Sequence, residues 1–113
     1  MERTVKLLTA LAGLGCVALG SLAAHMGLES AAADALSRAS LYGLVHAVAI
    51  IAILGWPGRG AAFVRLCWLG GIILFAGGIA LKYLAGIALA GHAAPIGGTL
   101  LMLGWLILAV SRR

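Results

Sequence analysis

The stretch SLYGLVHAVAIIAILGWPG, Ser40 to Gly58, decides how the rest of the chain is read. It is almost wholly apolar and stops at a Pro-Gly pair, yet it carries a tyrosine and, four residues on, a histidine. A hydrocarbon core about 30 Å thick is crossed by roughly 20 helical residues. The run meets that length, and Gly55-Trp56-Pro57-Gly58-Arg59-Gly60 supplies a tight turn at its end. A polar pair inside such a run needs a partner, because hydrocarbon offers none.

The rest of the chain has the same character. Hydrophobic residues make up 64% of the 113 and charged residues only 10%, where soluble domains carry about 25% charge. Mean hydropathy is +1.16. A chain so short and so poor in charge belongs in a bilayer. Four apolar runs are long enough to cross, over residues 7–25, 38–56, 62–84 and 94–110. The expected fold is an all-α membrane protein: one domain over residues 1–113, with four transmembrane helices in a compact antiparallel bundle. The start of the chain imitates a signal peptide, with Arg3 and Lys6 before an apolar run. That run is longer than a signal peptide's, and is read as a retained span.

The segment before the second span, LESAAADALSRAS, is rich in alanine. Ser30 is placed to cap a helix. Asp34 and Arg38 are four apart with the acid first, the better order for a helical pair. This segment is read as a polar, interfacial start to helix two. GIALAGHAA, Gly86 to Ala94, is read as an interfacial or re-entrant loop, and Pro95 suits the first turn of helix four.

Net charge is +5, but the basic residues stand singly or in pairs between apolar runs. They are topology signals rather than a nucleic-acid surface, which would need a clustered basic face. Arg3, Lys6, Arg59, Arg65, Arg112 and Arg113 fall at one end of the expected bundle, and Arg38 and Lys82 at the other. The excess places both termini in the cytoplasm. Cys16 and Cys67 lie far apart in apolar runs and read as free thiols.

Glycine supplies the packing pattern. Helices in lipid associate where small side chains let backbones approach. Among 17 glycines, several recur at intervals of seven: Gly13, Gly20 and Gly27; Gly70 and Gly77; Gly71 and Gly78; Gly91 and Gly98; Gly97 and Gly104. Such a repeat holds a seam on one helix face and favours left-handed crossing. Gly20, Gly70, Gly77, Gly97, Gly98 and Gly104 are the expected packing positions.

Arg38, Tyr42 and His46 are spaced by four and share one helical stripe. His46 lies about 9 Å along the helix from Ser40. With His25, Lys82 and His92 these residues are expected to gather in the non-cytoplasmic half of the membrane. The expected role is a hydrogen-bonded polar cluster or a small-molecule pocket, with His46 partnered by Tyr42 or His25. No H-x-x-x-H pair or carboxylate supports a metal or haem site. No acid lies inside a span, which argues against a transporter built on an intramembrane carboxylate. No phosphate loop, nucleophile elbow or paired carboxylate is present. The chain therefore reads as a protein without catalytic residues, metal or cofactor.

GSLAAHMGL (Gly20 to Leu28), ASLYGLVHAVAI (Ala39 to Ile50), LFAGGIAL (Leu74 to Leu81) and APIGGTLLMLGWLILA (Ala94 to Ala109) follow one another in an order that resembles the DUF423 family. These are small bacterial inner-membrane proteins, whose eukaryotic relatives are called transmembrane protein 256. The resemblance rests on Ala24-His25, Tyr42-x-x-x-His46, Pro95-x-Gly97-Gly98 and Gly104-Trp105 together. The chain departs at Gly78-Ile79-Ala80, where the family usually has Ser-Leu-Tyr, and at Ala94, where it usually has threonine. The resemblance implies four spans in a bacterial inner membrane and no established reaction. The functional expectation is an accessory or assembly subunit that packs against a larger membrane complex or self-associates among membrane lipids. The alternative is a binder or carrier of a lipid, quinone or other small molecule in a His/Tyr-lined pocket near the outer leaflet.

Overall fold

The computed structural model describes residues 1–111. Four α-helices follow in order: α1 (Glu2–His25), α2 (Ser30–Ala52), α3 (Arg59–Leu84) and α4 (Ala93–Val110). A short 3₁₀ turn, η1 (Ala88–His92), leads into α4. Each crossing is long and apolar enough to span a bilayer, η1 being counted with α4. The bundle measures 45 × 22 × 19 Å, so its long axis matches a membrane with its headgroup layers. Arg112 and Arg113, which count among the expected topology signals, lie outside the described residues.

The turns sit where glycine permits them. Gly58 adopts φ +97° at the start of α3, and Gly86 adopts φ +73° after α3. Arg65 closes the α2–α3 hairpin: its guanidinium donates to the carbonyls of Ile53 (2.9 Å) and Trp56 (3.1 Å). The Ile53 carbonyl also takes the Trp56 amide at 3.0 Å, so the guanidinium adds a second donor there and fastens α3 to the turn that follows α2. After Gly86, the Ile87 amide bonds back to the Leu81 carbonyl at 3.1 Å. Gly86 to Ala94 is therefore a glycine turn, a 3₁₀ turn and the first residues of α4. Ser30 does not cap α2. Glu29 occupies the capping position, in extended backbone, and no side chain bonds the helix end. The alanine-rich segment is the opening of α2 itself.

The helices form a zigzag. α1 packs on α2, α2 on α3, and α3 most extensively on α4. The inner pair, α2 and α3, has 39% of each span buried, against 17% for α1 and for α4. Trp68, Leu36, Ile50, Ile72 and Val64 form the centre, each at most 2% exposed.

Glycines set the two tightest contacts. On the α1–α2 face, a Cβ on Gly20 would stand 2.7 Å from Ser40 Oγ, and one on Gly43 would run into Cys16 Sγ. The two helices thus exchange a small knob and a glycine hole in each direction. On the α3–α4 face, Gly71 and Gly97 oppose each other. A Cβ on Gly97 would meet the Phe75 amide and lie 2.7 Å from the Gly71 carbonyl oxygen. A Cβ on Gly78 would lie 2.7 Å from the Ala90 carbonyl oxygen of η1. The seam on α3 is therefore Gly71 and Gly78. Gly70 and Gly77 lie one residue, about 100° of rotation, away. Gly70 makes only ordinary contact with Leu100, and nothing lies within 4 Å of where a Cβ on Gly77 would be. Gly77 is thus no packing position within the chain.

Candidate functional site: the groove between α2 and α4

The expected polar residues divide. Arg38, Tyr42, His46 and Lys82 come together along a groove between α2 and α4, floored by α3. His25 and His92 are exposed at the same end of the bundle and do not line it. His25 is not a partner of His46.

His46 is 6% exposed and bridges two helices. The Trp105 indole donates from Nε1 to His46 Nε2 at 2.8 Å. An indole N–H only donates, so Nε2 must accept. The proton of the neutral imidazole then sits on Nδ1, which donates to the Tyr42 carbonyl at 2.6 Å. Both ring nitrogens are satisfied, and the ring's lone pair is engaged. Tyr42 enters through its backbone, while its half-exposed ring lies edge-on to Phe75, with centroids 5.8 Å apart.

The bridge rests on an aromatic stack. Trp68 and Trp105 have centroids 4.6 Å apart, and His46 lies edge-on to both, at 5.9 and 5.8 Å. Trp68 Nε1 donates to the Leu101 carbonyl at 3.2 Å. The α4 ladder already assigns that oxygen to the amide of residue 105, so the indole takes the second lone pair. Gly104 makes room, because a Cβ there would strike the Trp68 indole nitrogen. Sequence reading reached Gly104 and His46 but not Trp68, Phe75 or Trp105 as site residues. The signal was available: an indole N–H in mid-span needs an acceptor.

The groove has two continuous parts. The deeper part, about 350 Å³, is lined by Tyr42, His46, Phe75, Leu101, Met102 and Trp105. The outer part, about 450 Å³, shares Phe75, Gly98 and Met102 with it and opens between Arg38 and Lys82. The Lys82 stem lies against Gly91, where a Cβ would be 2.8 Å from Lys82 Cδ. Its ammonium stands 5.0 Å from the Tyr83 ring centroid. Arg38 is exposed and forms no ion pair with Asp34, in contrast to the helical pairing expected of them. No acid lines the groove. Thr99 turns its hydroxyl away, donating to the Pro95 carbonyl at 2.8 Å. Among the described residues no group of three or more His, Cys, Asp or Glu side chains could hold a metal ion.

Known proteins resemble the chain over most of its length. The family described as "Protein of unknown function (DUF423)" matches residues 19–98. A UPF0382 membrane protein of Haemophilus influenzae is 38% identical over 96% of this chain and 93% of its own. UPF0382 membrane proteins of Staphylococcus saprophyticus and Staphylococcus aureus are 33% and 31% identical, over 92% and 93% of this chain and 92% and 91% of their own lengths. No solved structure matches. Four apolar helices and these likenesses identify a multi-pass membrane protein, and the chain belongs to the DUF423 family.

Proposed function

We propose that the protein is a non-catalytic module of the bacterial inner membrane that works by lateral association, as an accessory or assembly subunit of a larger membrane complex or with copies of itself. The observation that carries this reading is the open flank between α1 and α3. α1 buries little of its span, and an apolar channel of about 320 Å³ runs between Ala12, Gly15, Cys16 and Leu19 on one side and Ala76 and Gly77 on the other. Nothing lies within 4 Å of where a Cβ would be at Gly15 or Gly77. Close helix association in lipid uses such small-residue surfaces. Native mass spectrometry in mild detergent tests the reading. The expected result is a species heavier than the monomer, lost when Gly15 and Gly77 are both replaced by leucine. A strictly monomeric protein with nothing co-purifying overturns it.

A second reading is favoured by the α2–α4 groove: the protein holds a lipid, quinone or other amphipathic small molecule there. Walls of Phe75, Met102 and Trp105 suit an apolar tail. Extraction of the purified protein tests this. A stoichiometric lipid or quinone, lost in Gly98→Leu, supports it, and an empty extract removes it.

A further inference from the structure

We infer that the α2–α4 groove takes an anionic phospholipid, its phosphate held between Arg38 and Lys82 and one acyl chain laid along Phe75 and Met102 towards Trp105. The inference rests on the second reading above, that the groove holds a ligand, and adds the chemistry of the head. Two cations frame one mouth with no acid among the lining residues. Among the described residues Arg38 has no hydrogen-bond or ion-pair partner, and the Lys82 ammonium lies over the face of Tyr83. A guanidinium beside hydrocarbon is costly unless it reaches water, headgroups or a counter-charge. Here no acid among the lining residues supplies the counter-charge. A lipid phosphodiester supplies it, its two non-bridging oxygens shared between the guanidinium fork and the ammonium.

The geometry below the mouth fixes the rest of the ligand. From Arg38 to His46 the groove runs eight residues of α2, about 12 Å. Over that depth the Thr99 hydroxyl and both His46 nitrogens are already satisfied within the protein. The floor and walls are aromatic or aliphatic. An acyl chain needs no hydrogen bonds and fits such walls; a polar tail would lose its hydration for nothing. The groove opens sideways to the bilayer, so a lipid enters by lateral diffusion and leaves its head at the level of Arg38 and Lys82.

The test is native mass spectrometry of the full chain, exchanged into detergent with phosphatidylglycerol or phosphatidylcholine at equal amounts. Wild type should retain phosphatidylglycerol over phosphatidylcholine by about ten- to thirtyfold, the discrimination expected of two basic side chains. Arg38→Gln with Lys82→Gln should erase that preference, and soluble glycerol phosphate should not displace the lipid. Gly98→Leu fills the junction of the two parts, where a Cβ meets only the Phe75 ring at 3.7 and 4.0 Å. It should release both lipids while thermal stability stays near wild type. Equal retention of the two lipids, or a preference that survives the double neutralisation, overturns the head assignment and leaves the groove reading standing. Displacement by glycerol phosphate overturns the tail assignment. Failure to retain either lipid, in wild type and Gly98→Leu alike, overturns the groove reading and this inference with it.

Discussion

His46 shows what one polar side chain does in hydrocarbon. It joins α2 to α4, two helices that otherwise leave a groove between them, through a single indole hydrogen bond. Interhelical hydrogen bonds in membranes are worth about 0.6 kcal/mol on average and up to about 1.7. A double-mutant cycle of His46→Phe and Trp105→Phe, read by equilibrium unfolding in detergent, should give a coupling in that range. Additive effects would show that the bond holds nothing together. Thr9 is the opposite case. It is 1% exposed, and its hydroxyl has no partner among the described residues. A buried polar group without a hydrogen bond costs free energy. Thr9→Val should therefore be as stable as wild type or more so, by up to about 1 kcal/mol. A clear loss would mean that the hydroxyl is satisfied by something outside the chain. The rule that intramembrane polar groups need partners led from sequence to His46, Tyr42, Arg38 and Lys82, and equally to His25 and His92, which do not line the groove. It did not lead to Trp105, because indole passes as an apolar residue in any hydropathy reading and its N–H goes uncounted. Nor did it separate Tyr42's carbonyl from its hydroxyl, since i to i+4 spacing places side chains on a stripe but says nothing about which atom serves.

At the scale of helices, packing follows glycines by register rather than by number. Heptad spacing recurs at Gly70 with Gly77 and at Gly71 with Gly78; the expected packing positions are the first pair, and only the second faces α4 and η1. The ambiguity is intrinsic. Adjacent positions on a helix carry the same repeat, and only the partner's position selects between faces about 100° apart. On α4 the same ambiguity joins Gly98 to Gly97 and Gly104: Gly97 and Gly104 make the close contacts, while a Cβ on Gly98 would meet only the Phe75 ring at 3.7 and 4.0 Å. Gly43 was not legible, because it belongs to no repeat: it answers Cys16 on a neighbouring helix. Two substitutions separate the faces. Gly97→Val sets a side chain into the α3 backbone at Gly71 and Phe75, where no rotamer of a neighbour relieves it. It should cost about 1–3 kcal/mol or more, and detach α4. Gly77→Val points into open space and should leave the monomer's unfolding midpoint nearly unchanged. Equal losses in the two variants would mean that the α3–α4 seam is misplaced by one residue. Any effect of Gly77→Val confined to a larger assembly would mark that face as a contact with another chain.

On the whole molecule, the number of crossings was legible because it depends only on run length and turn residues, both local. Which helices touch depends on shape, and run length carries none of that. The described structure brings the start of α3 beside the end of α4: a Cβ on Gly60 would lie 3.0 Å from Ser111 Cβ. With four antiparallel crossings, the chain start, the α2–α3 turn and the end of α4 share one end of the bundle. Arg3, Lys6, Arg59 and Arg65 lie in or near that end, while Arg38 and Lys82 lie towards the other, with Glu29 and Asp34. Lysine and arginine near span ends are retained on the cytoplasmic side during insertion, and acids count for little. The bundle should therefore insert with both termini inside and the mouth of the α2–α4 groove outside. Single cysteines at Ser30 and Pro57, in a chain with Cys16→Ala and Cys67→Ala, report on the two ends. In intact bacterial cells an impermeant maleimide should label Ser30→Cys, and it should reach Pro57→Cys only after permeabilisation. The reverse pattern would turn the bundle over and open the groove towards the cytoplasmic leaflet. Its two cations would then add to the inner charge instead of opposing it, and the charge excess would no longer account for how the protein sits. Replacing Arg3 and Lys6 by glutamine weakens the bias at the first span, which usually dominates. That variant should show partial labelling at Pro57→Cys in intact cells, and unchanged labelling would move the topology signal to the α2–α3 turn.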